Sequence, residues 1–169
     1  AGLAETTPVL TEAGIASEFA VLDGYQPEEA PFLTHPVHIF KARNGYGTCA
    51  EFAEWLEKTI HHFDAVFVHG CWKYHGAAVR AAAVKHHVPY YVYPHGMLDP
   101  WFNRRYPLKW LKKQLYWWLR EYAVIRDARA VLFTSQEEMY LASKAFVPYR
   151  ASGQVIPYGT QRPYPDNVD

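Results

Sequence analysis

Six short apolar runs punctuate the chain: 18–23 (EFAVLD), 37–40 (VHIF), 65–69 (AVFVH), 89–93 (PYYVY), 130–134 (AVLFT) and 154–157 (QVIP). They are continuous in Val, Phe, Ile and Tyr and do not alternate with polar residues. That pattern predicts strands covered on both faces, as in a parallel sheet. Helical periodicity lies between them. Phe52, Trp55, Leu56 and Ile60 form a stripe within 49–63, and 76–87 is rich in alanine, which suits close packing on a sheet. Residues 135–146 open with Ser135 and Glu138 in capping-box spacing. The longest predicted helix is 106–127. Its leucine-rich side, with Leu108, Leu111, Leu115, Trp118, Leu119 and Tyr122, is the expected buried face at about 1.5–3 kcal/mol for each large side chain. Lys109, Lys112, Lys113, Arg120, Trp110 and Trp117 are expected on the other side, with Arg104 and Arg105 just ahead of the helix.

Strand and helix alternation with short connections predicts an α/β fold, a Rossmann-like doubly wound parallel sheet with helices on both faces. The beginning departs from that plan. Residues 1–13 read as helical, with Pro8 expected to break or kink them, and Gly14 leads into the first strand run. Doubly wound domains open on a strand and a Gly-rich turn, so either a first strand and its turn are missing upstream or this edge of the fold is unusual.

Composition narrows the function. The 169 residues suit one domain, 1–169, with a real core. Its 17 basic and 17 acidic residues cancel, which argues against nucleic acid as a partner, since such binders need uncompensated cations. Cys49 and Cys71 have neither redox nor zinc spacing and read as reduced thiols of a cytoplasmic protein. No signal peptide and no apolar run of about 18 residues is found.

Ligands of open α/β sheets sit at the carboxyl ends of the strands. The third run is followed there by His69-Gly70-Cys71-Trp72 and the fourth by Pro94, His95, Gly96 and on to Trp101. The fifth is followed by Ser135 and Gln136, and the last by Tyr158-Gly159-Thr160. Gly allows a sharp turn and close approach of a ligand, and His can donate or accept near neutral pH. Taken singly, each has a plain structural explanation: a turn histidine, a tryptophan lid, a helix cap. Their convergence on one edge is what marks a candidate site. There is no HExxH and no DxD-like cluster, so no metal is expected. The doublets His61-His62 and His86-His87 fall near helix ends, where the helix dipole accounts for them.

The stretch VPYYVYPHGMLDPW, the helix KWLKKQLYWWLREYAVI, then ARAVLFTSQEEM and VIPYGT resemble the N-terminal domain of family-4 (group 1) glycosyltransferases. These are retaining enzymes of the two-Rossmann-domain GT-B architecture. The resemblance is densest between about Ala65 and Thr160, and LTEAGIASEFAVLD is similar to the family's first helix and second strand. It implies that His95 lies by the transferring sugar as the candidate catalytic residue. It implies substrate contacts for His69, Gly70, Trp72, Gly96, Trp101, Ser135 and Glu138.

The resemblance also implies transfer of a sugar from a nucleotide diphosphate sugar, as co-substrate and without a further cofactor, to a saccharide or lipid-linked acceptor. The family's Gly-rich turn after the first strand and its C-terminal nucleotide-sugar domain have no counterpart here. The piece alone is therefore expected to be inactive without that domain as a partner. A lipid-linked acceptor and the basic aromatic helix together suggest an anionic membrane surface as a further partner, at the inner face of the membrane. The rival readings are a non-catalytic carbohydrate- or lipid-binding α/β module and a nucleotide-sugar epimerase of the same architecture.

Overall fold

The computed structural model describes residues 8–22, 35–101 and 107–157. They fall into two compact units, one with the described residues 8–22 and 35–41, the other with 42–101 and 107–157.

In the smaller unit, residues 8–12 form a helical turn. The rest of the expected N-terminal helix lies outside the described residues. Gly14 ends the turn at φ +76°, where Ile15 N–H donates to Leu10 O and Gly14 N–H to Thr11 O, both at 2.9 Å. This is a left-handed helix stop that glycine adopts without a Cβ clash. Strands β1 (Phe19–Leu22) and β2 (Val37–Phe40) then pair in parallel, with Phe19 opposite Val37 and Leu22 opposite Phe40.

The larger unit holds a four-stranded parallel sheet in the order β3 (Val66–His69), β4 (Tyr90–Tyr93), β5 (Ala130–Phe133) and β6 (Gly153–Val155). Its helices are α1 (Ala50–Thr59), α2 (Tyr74–His86), α3 and α4 (Gln136–Ala142). Helix α3 runs from Pro107–Tyr116 through a π-helical turn at Trp117–Glu121 into Tyr122–Asp127. All six strand runs are present, although the last strand starts earlier than expected, at Gly153. The continuous apolar reading holds best for β5, where every residue is buried. On β3 one face carries buried Val68 while Phe67 on the other is 53% exposed. Helix α2 packs close because its inner positions are Gly76, Ala78, Val79, Ala82 and Ala83. A Cβ on Gly76 would meet Val124 Cγ1 of α3 at 3.3 Å, so a larger residue there would push the two helices apart. No helix among the described residues is long and apolar enough to cross a membrane.

Helix α3 corrects one expectation outright. Trp117, Gln114 and Glu121 are buried, whereas Leu111, Leu115, Trp118 and Leu119 are 53–69% exposed. The leucine-rich side faces out. Val124 on the helix's later turns packs against α2, but around Gln114 and Trp117 the inner side meets the loop after α4, whose backbone carbonyls require donors. Trp117 Nε1 donates to Pro148 O at 2.7 Å, Trp118 Nε1 and Gln114 Nε2 both donate to Val147 O at 2.5 Å, and Trp110 Nε1 donates to Ala145 O at 3.4 Å. Gln114 Oε1 accepts Val147 N–H in return at 3.2 Å. Indole and amide groups satisfy that loop where leucines could not. The side chains of Leu108 and Lys109, and residues Arg104 and Arg105, lie outside the described residues.

Candidate functional site

The carboxyl ends of β3, β4 and β5 lie side by side, so the loops that follow them meet along one edge. Beyond β3, Gly70 N–H extends the ladder by donating to Tyr93 O at 2.8 Å, and Gly70 sits at φ +88°. A Cβ there would meet Met97 Cε at 3.4 Å. Beyond β4, Met97 N–H donates to Pro94 O at 3.1 Å across His95 (φ +53°) and Gly96 (φ +72°). Two successive positive φ values make this a type I′ turn, in which His is tolerated and Gly preferred.

This turn aims His95 at His69. His69 Nδ1 and His95 Nε2 are 3.0 Å apart, sharing one proton between a donor and an acceptor. Their rings stack with Tyr93 into a three-ring cluster, with centroids 5.2 Å apart for His69–Tyr93 and for His69–His95. His75, on the first turn of α2, reaches back to His69 O at 3.1 Å.

The third loop joins through Glu138. Ser135 caps α4, accepting Glu138 N–H on its Oγ at 3.1 Å. The Glu138 carboxylate does not close the capping box on Ser135. One oxygen accepts Thr134 N–H and Thr134 Oγ1–H, each at 2.8 Å, and the other accepts Gly96 N–H at 2.8 Å. Glu138 therefore clamps the His95-Gly96 turn to the end of β5.

A family model described as "Glycosyl transferase 4-like domain" matches residues 8–159. The chain belongs to this family of glycosyltransferase domains. Among solved structures, the chain is similar to Anabaena Alr3699/HepE, crystallised with UDP and glucose, at a TM-score of 0.51 and 16% identity. The alignment covers 85% of this chain and 44% of that one, so this chain spans less than half of that protein's length. At that identity the likeness shows the Rossmann-like α/β fold. No curated protein matches by sequence.

Within this glycosyltransferase domain, His69 is mostly neutral near pH 7. Burial, then the nearby His95 and His75, push it down to about 4. Partial burial also lowers His95, opposed by the Glu138 carboxylate. A neutral imidazole pair beside a clamped turn can offer one N–H and one lone pair to a sugar hydroxyl without placing a charge in the site.

Trp72 is held as a lid. It adopts φ +71°, a left-handed conformation that costs a bulky residue about 1–2 kcal/mol. Its ring packs edge-on to Phe146 at 5.0 Å and near Trp117 at 6.2 Å, with Lys113 Nζ over it at 5.1 Å. Its Nε1 donates to Met97 O at 3.2 Å, tying the β3 loop to the β4 loop. Seven of the eight expected site residues (His69, Gly70, Trp72, His95, Gly96, Ser135 and Glu138) thus lie in one connected network. Trp101 lies farther along its loop, 58% exposed, with its N–H on Asp99 Oδ1 at 2.7 Å. Tyr158, Gly159 and Thr160 fall outside the described residues.

Sequence reasoning missed Glu121. This buried carboxyl in the π-helical turn accepts the Trp72 backbone N–H and the Cys71 thiol. It is the only acidic residue between Asp99 and Asp127, a signal that the sequence carried and that was not used. Burial pushes it up to about 7 and pushes the Cys71 thiol well above its usual range, so that cysteine is unreactive.

The raised carboxyl has a stability consequence. The folded chain holds the Glu121 proton to about pH 7 while the unfolded chain releases it near 4.5. The stabilisation is present in full below 4.5 and is lost as pH rises through 7. Glu121→Gln should remove that slope. Urea unfolding at pH 5 and pH 8 should show the variant gaining about 2–3 kcal/mol on the wild type between the two. Parallel pH profiles for the two proteins would rule this out.

A shallow depression of about 600 Å³ lies at the opposite, amino-terminal edge of β4 and β5, lined by residues including Val84, His87, Pro89 and Arg129. Its lining also includes Asp127, already paired with Arg80 and Arg126, and none of the residues of the three-loop network. The candidate site therefore rests on convergence of polar groups rather than on cavity volume.

Proposed function

We propose that this glycosyltransferase domain takes part in moving a sugar from a nucleotide diphosphate sugar to a saccharide or lipid-linked acceptor, with retention at the anomeric carbon. The His69–His95 edge forms the acceptor-side wall of the cleft, and a nucleotide-sugar domain forms the opposite wall. In the reaction the bond from C1 to the diphosphate oxygen breaks, and the acceptor oxygen bonds to C1 as its proton passes to the departing diphosphate. Such a step depends on holding the acceptor hydroxyl close to C1 and on stabilising the departing diphosphate.

The observation that carries this reading is the neutral His69–His95 pair on a turn fixed by Glu138. A neutral donor–acceptor pair suits sugar hydroxyls, which are themselves both donors and acceptors. His95 is the group placed to touch the sugar, and Gly70 and Gly96 leave room for it. Trp72 and Ser135 act by holding their loops, and Glu138 by orienting His95.

The test uses the protein expressed from its complete reading frame with a panel of sugar nucleotides and saccharide and lipid-linked acceptors. Release of nucleoside diphosphate that depends on an acceptor is the expected result. His95→Ala should lower kcat/KM about tenfold, the loss of one well-placed hydrogen bond. If no sugar nucleotide is consumed, transfer is excluded and a binding module is left. If His95→Ala turns over like the wild type, His95 does not contact the sugar.

A further inference from the structure

The turn that carries His95 is gripped from two sides. On one side Glu138 takes Gly96 N–H at 2.8 Å. On the other, the loop after β3 takes hold of Met97. Trp72 Nε1 donates to Met97 O and Cys71 N–H donates to Met97 Sδ, both at 3.2 Å. The Met97 side chain also lies against Gly70, where a Cβ would stand 3.4 Å from its Cε. This second grip is only as firm as the Gly70-Cys71-Trp72 backbone, which is unfavourable in itself, with Gly70 at φ +88° and Trp72 at φ +71°. A bulky residue stays in the left-handed region only where its surroundings over-determine it.

Glu121 supplies that constraint. It is 3% exposed, and its carboxyl accepts Trp72 N–H and the Cys71 thiol. Burying a carboxyl costs desolvation that an apolar side chain would avoid, so packing alone does not account for it. It ends the π-helical turn Trp117–Glu121, a rare form of helix that recurs at functional sites.

We propose that Glu121 is a positioning residue for sugar transfer: it locks the left-handed backbone of Trp72 and, through Trp72 and Cys71, sets the Met97 end of the turn that presents His95. This rests on the reading of His95 as the group that contacts the sugar. A dependence on pH follows from the chemistry of the carboxyl. The ionised form accepts the N–H and the S–H on two strong acceptor oxygens, whereas the protonated acid gives one of them up to its own proton. Burial places that change at about 7. The titratable groups facing Glu121 are Cys71 from the β3 loop, Tyr116 from its own helix and Tyr90 from β4, all pushed up. Farther round, α2 carries His75, pushed down by burial, and Arg80, paired with Asp127, and the loop after α4 carries Tyr149, pushed up. His69 and His95 are pushed down as well. Those shifts leave Glu121 as the group of this cluster whose charge changes near pH 7.

The test has one readout that needs no transfer and one that does. The 169-residue chain has two methionines, Met97 and Met139, so methyl-labelled methionine gives two separate magnetic resonance probes. In the wild type the Met97 signal should move with pH with a midpoint near 7, and in Glu121→Gln it should stay at its low-pH position throughout. Met139, which lies against Gly153, should not follow. In the protein from the complete reading frame, wild-type kcat should rise as pH passes through about 7. Glu121→Gln should be flat over that range, about three- to fivefold slower than the wild type at pH 8, with KM for the sugar nucleotide unchanged. The same substitution gains stability on the wild type between pH 5 and pH 8, so a deficit in kcat that grows over this interval is not a folding loss. A Met97 signal indifferent to pH and to the substitution would overturn the proposal. So would a Glu121→Gln variant that transfers sugar like the wild type at pH 8. If the wild type transfers no sugar, the transfer reading fails on its own, and the Met97 signal decides whether Glu121 sets the turn.

Discussion

Replacing Trp117 by alanine is expected to cost about 3–5 kcal/mol of unfolding free energy, the range for removing a large aromatic from a packed interior. Trp117 has no exposed surface. Its ring stacks on Phe146 at 5.1 Å, lies parallel to Tyr149 at 6.2 Å, and sits close to Tyr122 and Trp72. The truncation opens a cavity among four aromatic rings, and it also strips Pro148 O of the indole donor at 2.7 Å. Trp117→Phe separates the two contributions. It keeps most of the ring and orphans the carbonyl, so it should cost less, about 1–3 kcal/mol. Urea unfolding of both variants against the wild type reads this directly. An alanine variant within about 1 kcal/mol of the wild type would mean that the ring cluster is not packed as described.

Glu138→Ala is expected to reduce transfer by up to about tenfold in the protein from the complete reading frame, no more than the loss of the His95 that it orients. The carboxylate takes Gly96 N–H on one oxygen and Thr134 N–H with its hydroxyl on the other. Without it the His95-Gly96 turn loses its described tie to the β5 loop, and the His69–His95 geometry loosens. The cost to folding should be modest, about 1–3 kcal/mol, because solvent reaches Gly96 and can replace part of what is lost. Glu138→Gln keeps one carbonyl oxygen but turns an NH2 group toward an N–H donor, so it should fall between the two. The discriminating measurement is kcat under conditions where both variants are fully folded. Loss of stability with unchanged kcat would make Glu138 a cap and nothing more.

Much of this fold was legible in the sequence because it depends on local chemistry. Continuous runs of Val, Phe, Ile and Tyr form strands wherever they are shielded, and all six expected runs became strands. Ser135 stands where an N-cap belongs and caps a helix. The two His-Gly pairs fall at strand ends because glycine with positive φ is what a tight exit from a strand requires. PHGMLDPW and VIPYGT carried the family resemblance on the same footing.

Other features depend on which surface each element meets, and no single segment encodes that. Gln114 and Trp117 of α3 point inward because the loop they meet offers carbonyls that need amide and indole donors, which leaves the leucines on the outer side. Hydrophobicity alone assigned the helix to the wrong face. Glu138 has capping-box spacing, yet its carboxylate is diverted to Gly96, forty-two residues away in sequence, because the β4 and β5 loops emerge side by side. Glu121 became a buried anchor for Trp72 only when the π-helical turn set it beneath the β3 loop. The sequence by itself determined the strands, the caps, the His-Gly exits and the family. Tertiary structure alone decided which groups meet across loops and which face of α3 is free, because long-range packing and the hydrogen-bond needs of a distant backbone set those contacts.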